Sequence, residues 1–230
     1  METRRAEAFS DGVFAVAITV LVFDLLPIGA GIGGGLGHVL LKEWPKYAAY
    51  VVSFLTIGIV WLNHHTLMAH LRQVSRMLLV LNLVLMMCVV AVPFPTALVA
   101  EHLTEHTGGG TAAAVTYGLV MVAMSVAFSL MWLYLGLHAD EVARQPDFQP
   151  SVRTTIRFSG GLVAYVVATL VALVSPGGAV ALYGAIAVYY LFEHLPDPTA
   201  APGSAPDSRS APGSSPGSAS GPGSRPGPRP

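Results

Sequence analysis

The chain carries little charge for its length. Of its 230 residues, only 11% are Asp, Glu, Lys or Arg, whereas 53% are hydrophobic. A soluble domain has about 25% charged residues, so this chain lacks the polar surface that a water-exposed fold needs. The composition therefore predicts an integral membrane protein whose surface contacts lipid.

Other chemical groups are scarce as well. The single cysteine, Cys88, excludes an intrachain disulfide and a metal site built from several thiolates. A formal net charge of −1 offers no basic surface for a nucleic acid, so we expect no such partner. The glycine-rich segment 29–34 has the spacing GxGxxG, but no βαβ pattern surrounds it, so we expect no nucleotide cofactor.

What the chain has in abundance is apolar sequence in long runs. A helix needs about 20 apolar residues to cross a bilayer. Six segments qualify as candidates: 6–27, 44–69, 75–99, 111–138, 157–175 and 179–195. The sequence thus predicts an all-α, polytopic domain over residues 1–195. Residues 196–230 are mainly Pro, Gly, Ser and Ala, a composition typical of a disordered tail.

The basic residues predict the orientation of these helices. With six spans, every arginine falls on one side of the membrane, including the pair before helix 1, the pair between helices 2 and 3, and those of the tail. Cytoplasmic loops carry the excess of basic residues. We therefore expect a multi-pass protein of the cell membrane with its N- and C-termini in the cytoplasm.

Polar residues of three different helices are predicted to lie at one depth. Counted inward from the nearest arginine, they sit roughly 9–12 Å deep at about 1.5 Å per residue. Polar groups inside a membrane must satisfy one another, so we expect a hydrogen-bonded cluster, to which Arg5 could add an ion pair. Its predicted members are Ser10, Asp11, Trp61, His64, His65 and Asn82.

Three interpretations of this cluster remain open from the residues alone. It can be an interhelical tie that fixes packing. It can be a proton-sensitive element, because histidine changes its charge near neutral pH. It can also be a metal site formed by His64, His65 and Asp11, although adjacent helical residues point about 100° apart and rarely share one ion.

Helix 1 has a second face, which is almost wholly apolar. Steps of about 100° per residue place Gly12, Val16, Thr19, Val20, Phe23 and Pro27 on one stripe, away from Asp11. Such a stripe is compatible with lipid contact or ordinary helix packing. It is also compatible with the wall of a pore, because rings of apolar side chains form constrictions that gate by dewetting.

Motifs in the first three helices resemble those of the TMEM175 family of potassium channels. Arg5-x-x-x-Phe9-Ser10-Asp11 has the family signature RxxxFSD, and the continuation Gly-Val-Phe-Ala-Val-Ala-Ile-Thr is similar too. The segment 61–65, Trp-Leu-Asn-His-His, resembles the motif of the second helix. Asn82 and the Pro-Phe-Pro of residues 93–95 resemble the third. The likeness extends over about residues 4–195.

The resemblance implies a homotetramer in which four copies of helix 1 surround a pore for K⁺ and other monovalent cations. It assigns the main constriction, five residues after the motif aspartate, to Val16, and further pore-lining positions to Thr19, Val20 and Phe23. It implies that the motif residues hold helix 1 against helices 2 and 3 from behind. They are Arg5, Phe9, Ser10 and Asp11, with Trp61, His64, His65 and Asn82 as partners.

One departure from the family pattern affects the expected selectivity. The family often has isoleucine or leucine at the main constriction, where this chain has Val16. A smaller side chain widens a dewetted neck, so we expect weaker discrimination between K⁺ and Na⁺. The resemblance implies no catalytic residue, no bound metal and no cofactor besides the permeant ion.

Two rival functions stay open at this point. A proton-conducting or proton-coupled transporter would use Asp11 and His64, and animal members of the family are associated with proton permeation. Transporters often contain inverted repeats, and none is evident between residues 1–99 and 100–195. A membrane enzyme with a histidine-based metal site is the second rival, and its polar layer lacks a third strong ligand.

Overall fold

The structure, a computed structural model, describes residues 3–25, 36–104, 108–143 and 152–193, and its regular elements in these ranges are helices. The helices are α1 (Thr3–Val20), followed by a 3-10 turn (Leu21–Leu25), α2 (Leu36–Lys42), α3 (Trp44–Ala69), α4 (Arg76–Ala91), α5 (Pro93–His102), α6 (Gly109–Leu137), α7 (Ala139–Val142), α8 (Val152–Ala172) and α9 (Pro176–Glu193). The predicted all-α class is confirmed.

Four helical segments in the described part of the chain are long and apolar enough to cross a membrane. They are Thr3–Leu25, Trp44–Ala69, Arg76–His102 and Gly109–Leu137. The last two helices contribute shorter apolar stretches, Gly160–Ala172 and Pro176–Phe192. These stretches fall below the roughly 20 residues of a full span, so length alone supports four of the six predicted crossings.

The predicted third helix is interrupted at Val92, between α4 and α5. Pro93 has no N–H to donate to the carbonyl of Val89, and Val92 N donates to that carbonyl instead, at 3.2 Å. The helix restarts with Pro93 in its first turn, where a missing N–H costs nothing. Pro93 thus accounts for the break between α4 and α5.

The connection before α9 is one place where the predicted boundary was wrong. The sequence predicted a loop through Gly178, but α9 begins at Pro176. Ser175 Oγ accepts a hydrogen bond from Gly178 N at 3.2 Å and caps the first turn. A serine cap followed by proline outweighs the weak helix propensity of the two glycines.

The helix α1 packs against α3 and α4, while α6 packs on α4, α5 and α8. At one end of this bundle, the α3–α4 connection pairs with the last residues of α7. Arg72 N donates to Val142 O at 2.9 Å, and Gln73 Nε2 donates to Glu141 O at 2.8 Å. Thr3 Oγ1 donates to Arg72 O at 3.3 Å, so the start of α1 lies at this end too.

Residues 1–194 form one compact unit. The membrane domain predicted over residues 1–195 stays a prediction. The tail predicted over residues 196–230 lies outside the described residues.

Candidate functional site

Three buried side chains form a hydrogen-bonded chain that ties α1 to α3 and α4. Asn82 of α4 stands in the middle, and its Nδ2 donates to Ser10 Oγ at 3.0 Å. His64 Nε2 of α3 donates to Asn82 Oδ1 at 2.9 Å. Ser10 Oγ donates to the backbone carbonyl of Ala6, 3.0 Å away. We call Ser10, His64 and Asn82 the polar anchor.

Burial explains why the side chains of the polar anchor form hydrogen bonds with one another. All three residues are buried, and a polar group that leaves water without a partner costs free energy. Phe14, one helical turn after Ser10, lies 5.5 Å from the imidazole of His64, measured between ring centroids. His64 Nδ1 has no hydrogen-bond partner among the described residues. This pattern fits a neutral ring that carries its proton on Nε2.

A second pair of contacts joins α1 to α3 beside the polar anchor. Trp61 Nε1 donates to Asp11 Oδ1 at 2.9 Å. One turn nearer the start of α1, Glu7 Oε1 lies 3.1 Å from His65 Nδ1. Because residues four apart share a helix face, the two acids on α1 face the Trp and His on α3 in antiparallel order.

Sequence reasoning did not assign Glu7 to the cluster. Its spacing contained the signal, since Glu7 precedes Asp11 by one turn just as His65 follows Trp61 by one turn. The adjacent histidines therefore take separate partners: His64 bonds to Asn82, and His65 faces Glu7. No group of three or more His, Cys, Asp or Glu side chains in the part of the chain described here could hold a metal ion.

Two predicted members of the cluster lie elsewhere. Arg5 and Phe9 are exposed on α1, and Arg5 makes no ion pair with a described residue. They are four residues apart and so share a face, which is turned by about 100° from the buried stripe through Ser10. That face continues toward Val16, seven residues after Phe9, so these two motif residues border the exposed surface of α1.

The exposed face of α1 and of the 3-10 turn that follows it carries the four predicted pore-lining residues. Val16 and Phe23 are each 61% exposed, Val20 is 39% exposed, and Thr19 is exposed as well. Thr19 Oγ1 donates to the carbonyl of Ala15 at 2.7 Å, which leaves its oxygen lone pairs available to a cation. The opposite side of the helix is buried at Ser10, Phe14, Ala17 and Leu21.

The two faces of α1 therefore differ in kind. The side chains that anchor the helix point into the subunit, whereas the apolar stripe has no partner within the described residues of one chain. A helix arranged in this way can present the same stripe from several subunits to one axis.

A sequence profile of the family described as "Endosomal/lysosomal potassium channel TMEM175" matches residues 5–93. This range contains α1 from its third residue onward, all of α3 and α4, and every residue of the polar anchor. A potassium channel of Streptomyces collinus is 47% identical over 204 residues, which are 87% of this chain and 98% of that protein.

A solved structure is similar over most of the fold. It is the crystal structure of a lysosomal potassium-selective channel TMEM175 homologue from Chamaesiphon minutus, with a TM-score of 0.71 and 32% identity over 83% of this chain and 97% of that one. The endosomal/lysosomal proton channel TMEM175 of Gallus gallus is 29% identical over 61% of this chain, and the match spans 30% of that protein.

Proposed function

Because the chain belongs to the TMEM175 family, we propose that it is a potassium-permeable cation channel of the cell membrane, assembled as a homotetramer. Each subunit crosses the membrane six times, and α8 and α9 form the fifth and sixth crossings. The helix α1 of each subunit lines the central pore. The Streptomyces collinus relative is named a potassium channel, and the family consists of channels rather than enzymes. No residue of this chain is assigned a catalytic role.

The two-faced helix α1 is the observation that carries the proposal. A lipid-facing helix needs no buried polar ties, and a helix packed inside a subunit does not leave Val16 and Phe23 each 61% exposed. Four copies of α1 around an axis would bury this stripe among themselves and leave a narrow apolar passage. The polar anchor holds each copy in place from behind.

The proposed passage works through its shape and its lack of polar groups. Val16, Val20 and Phe23 form successive apolar rings, and a narrow apolar ring empties of water and stops ions until it widens. The four Thr19 hydroxyl oxygens supply the polar layer between these rings and replace part of the hydration shell of K⁺. Monovalent cations are the cargo, and the protein needs no resident cofactor.

The orientation follows the charge pattern. Thr3 and the segments 70–75 and 138–143 meet at one end of the bundle, which is also the end that carries Arg4, Arg5, Arg72 and Arg76. Since basic loops stay in the cytoplasm, both termini are proposed to be cytoplasmic.

Ion flux from liposomes tests the proposal. The purified protein is reconstituted into K⁺-loaded vesicles, and a proton ionophore converts K⁺ efflux into a measurable proton uptake. We expect rapid flux that depends on the protein and is slower when Na⁺ replaces K⁺. Flux no faster than that of protein-free vesicles would reject the channel function.

Proton conduction, or proton-coupled transport, is the second candidate. The Gallus gallus relative is named a proton channel, and His64 Nδ1 lacks a partner among the described residues although the ring is fully buried. Protons would pass by way of Asp11 and His64. A pH gradient across vesicles without K⁺ separates the two functions, because a proton channel dissipates that gradient and a strict K⁺ channel does not.

A further inference from the structure

Three hydroxyl groups outside the polar anchor meet in the middle of the subunit. Ser53 Oγ of α3 lies 2.7 Å from Thr96 Oγ1 of α5 and 3.2 Å from Tyr117 Oη of α6. All three side chains are buried, and Thr96 Oγ1 also donates to the carbonyl of Val92 at 2.8 Å. We call Ser53, Thr96 and Tyr117 the hydroxyl cluster. The functions described above do not use it.

The depth of the hydroxyl cluster follows from the register of α1 and α3. These helices run antiparallel, and their paired residues, Glu7 with His65 and Asp11 with Trp61, have numbers that add up to 72 in both cases. Equal rise per residue extends the relation along both helices, so Ser53 lies level with Thr19. The hydroxyl cluster thus stands behind α1 at the depth of Thr19 and Val20, well away from the polar anchor.

The helices that the hydroxyl cluster joins also hold the end of α1. The 3-10 turn Leu21–Leu25 packs against α3 and α5, and Leu21 is its fully buried residue. A 3-10 turn has weaker internal hydrogen bonds than an α-helix, so its position depends more on the helices that pack against it. Phe23 belongs to this turn and is exposed on the other side.

We propose that the hydroxyl cluster is a second anchor, which positions the 3-10 turn and thereby sets how far Phe23 and Val20 reach toward the pore axis. This inference rests on the proposed function. Ser53, Thr96 and Tyr117 act as positioning residues, because they touch no permeating ion. The polar anchor fixes one half of α1, and the hydroxyl cluster fixes the other half through α3 and α5.

The test replaces the Thr96 hydroxyl without changing the shape of the side chain. Thr96→Val removes the hydroxyl, Thr96→Ser restores it, and Thr169→Val is the matched control. Thr169 of α8 also donates to a carbonyl one turn earlier, that of Tyr165 at 2.7 Å, and lies 3.4 Å from the Tyr183 hydroxyl. Its helix packs on α6 and α9. Each variant is compared for thermal stability, K⁺ conductance and the K⁺/Na⁺ permeability ratio.

A second readout reports the position of Phe23 without ion flow. Cys88 is the single cysteine, so Cys88→Ala gives a background in which Phe23→Cys is the only thiol. A short bifunctional maleimide then measures how readily the four introduced thiols crosslink between subunits. The crosslinking rate depends on the distance between the thiols across the pore. A substitution that only lowers the stability of the protein leaves that distance unchanged.

We expect Thr96→Val to change the conductance and the crosslinking rate by roughly two- to tenfold, the equilibrium effect of losing one buried hydrogen bond. Thr96→Ser should return both values, and Thr169→Val should lower only the stability. If Thr96→Val does not assemble, Tyr117→Phe removes a different hydroxyl while keeping the ring. Lower stability with unchanged conductance and crosslinking in whichever variant assembles overturns the inference.

Failure of the proposed channel function would give a different result from failure of the second anchor. If the unsubstituted chain does not conduct and Phe23→Cys does not crosslink, the pore itself is rejected and the inference falls with it. If the unsubstituted chain conducts, the Phe23→Cys protein crosslinks, and the hydroxyl variants match both, the pore stands and only the second anchor is rejected.

Discussion

The side chain at position 16 sets the width of the proposed constriction. Val16→Ala removes two methyl groups from each subunit of the proposed tetramer, so the proposed apolar neck should widen and hold water more readily. We expect a higher K⁺ conductance and a lower K⁺/Na⁺ permeability ratio, measured by flux and reversal potential in reconstituted vesicles.

Val163→Ala is the matched control for this prediction. Val163 lies on α8 and is 61% exposed, the same fraction as Val16. The same methyl groups are therefore lost from an equally exposed valine outside the pore wall. Equal effects of the two substitutions, or no effect of Val16→Ala, would remove Val16 from the constriction.

Asp11 is expected to act in assembly rather than in permeation. Asp11→Ala removes the acceptor of the Trp61 indole, a bond between helices of the kind worth about 0.6 kcal/mol on average and up to roughly 1.7 kcal/mol. Tetramer dissociation in detergent should occur at lower temperature, while the K⁺/Na⁺ permeability ratio stays constant. Asp140→Ala, at an exposed aspartate of α7, serves as the control. A stable tetramer with altered selectivity would reverse the role of Asp11.

Asn82 should matter more for stability than Asp11. Asn82→Ala leaves His64 Nε2 without its partner inside the subunit, and an unsatisfied buried group costs roughly 1–3 kcal/mol. It also removes the donor to Ser10 Oγ, which keeps its bond to the carbonyl of Ala6. Thermal unfolding of the two variants under one condition ranks them. A smaller loss for Asn82→Ala than for Asp11→Ala would contradict the geometry of the polar anchor.

The polar anchor was largely predictable because helices have a constant rise. Counting from the arginines placed Ser10, His64 and Asn82 at one depth, and the structure brings them within hydrogen-bonding distance. The count says nothing about direction around the helix axis. Arg5 and Phe9 were included through the motif that they share with the family, and they lie on the exposed face. The depth of a residue followed from its position in the sequence, whereas the side of α1 on which it lies depended on the helices that pack against α1.

At the scale of whole helices, one glycine allows α6 to approach α8 and α9. A Cβ at Gly118 would overlap Thr169 Oγ1 and Tyr183 Oη and would come within 2.9 Å of Thr169 Cβ. Gly118→Ala should therefore destabilise the protein by about 1–3 kcal/mol through overpacking. A lower thermal midpoint in detergent is the expected result.

Gly58→Ala on α3 is the control, because apart from the neighbouring backbone of its own helix no heavy atom of the described residues lies within 4 Å of the added Cβ. Alanine is the better helix former by about 1 kcal/mol, so this variant should be as stable as the parent or more stable. A stable Gly118→Ala protein would show that the three helices have room to separate.

Element ends and packing differ in how far they were predictable. The break between α4 and α5 has a local cause that the sequence shows, because Pro93 lacks the N–H that would continue the helix. The hydroxyl cluster had no comparable signal. Serine and threonine in apolar helices commonly bond to a carbonyl of their own helix, as Thr96 does, so only the packing of α3, α5 and α6 reveals their meeting.

For the molecule as a whole, the composition separates a membrane part from a polar end. The helices lie within the compact unit of residues 1–194, and the remaining sequence is too poor in apolar residues to bury a core. A chain that ends at residue 195 should therefore have the mass of the proposed tetramer, four times that of its subunit, and the same K⁺ flux as the full chain. Native mass spectrometry and vesicle flux measure the two properties.

The truncated chain also tests what sets the orientation. Removal of the tail deletes Arg209, Arg225 and Arg229 but leaves the basic residues before α1 and between the helices. Basic residues next to helix ends dominate insertion. Protease or thiol labelling from either side of the membrane should then find the start of α1 on the cytoplasmic side in both chains. If orientation or assembly changed with the tail, residues 196–230 would have a part in the membrane domain that their composition does not predict.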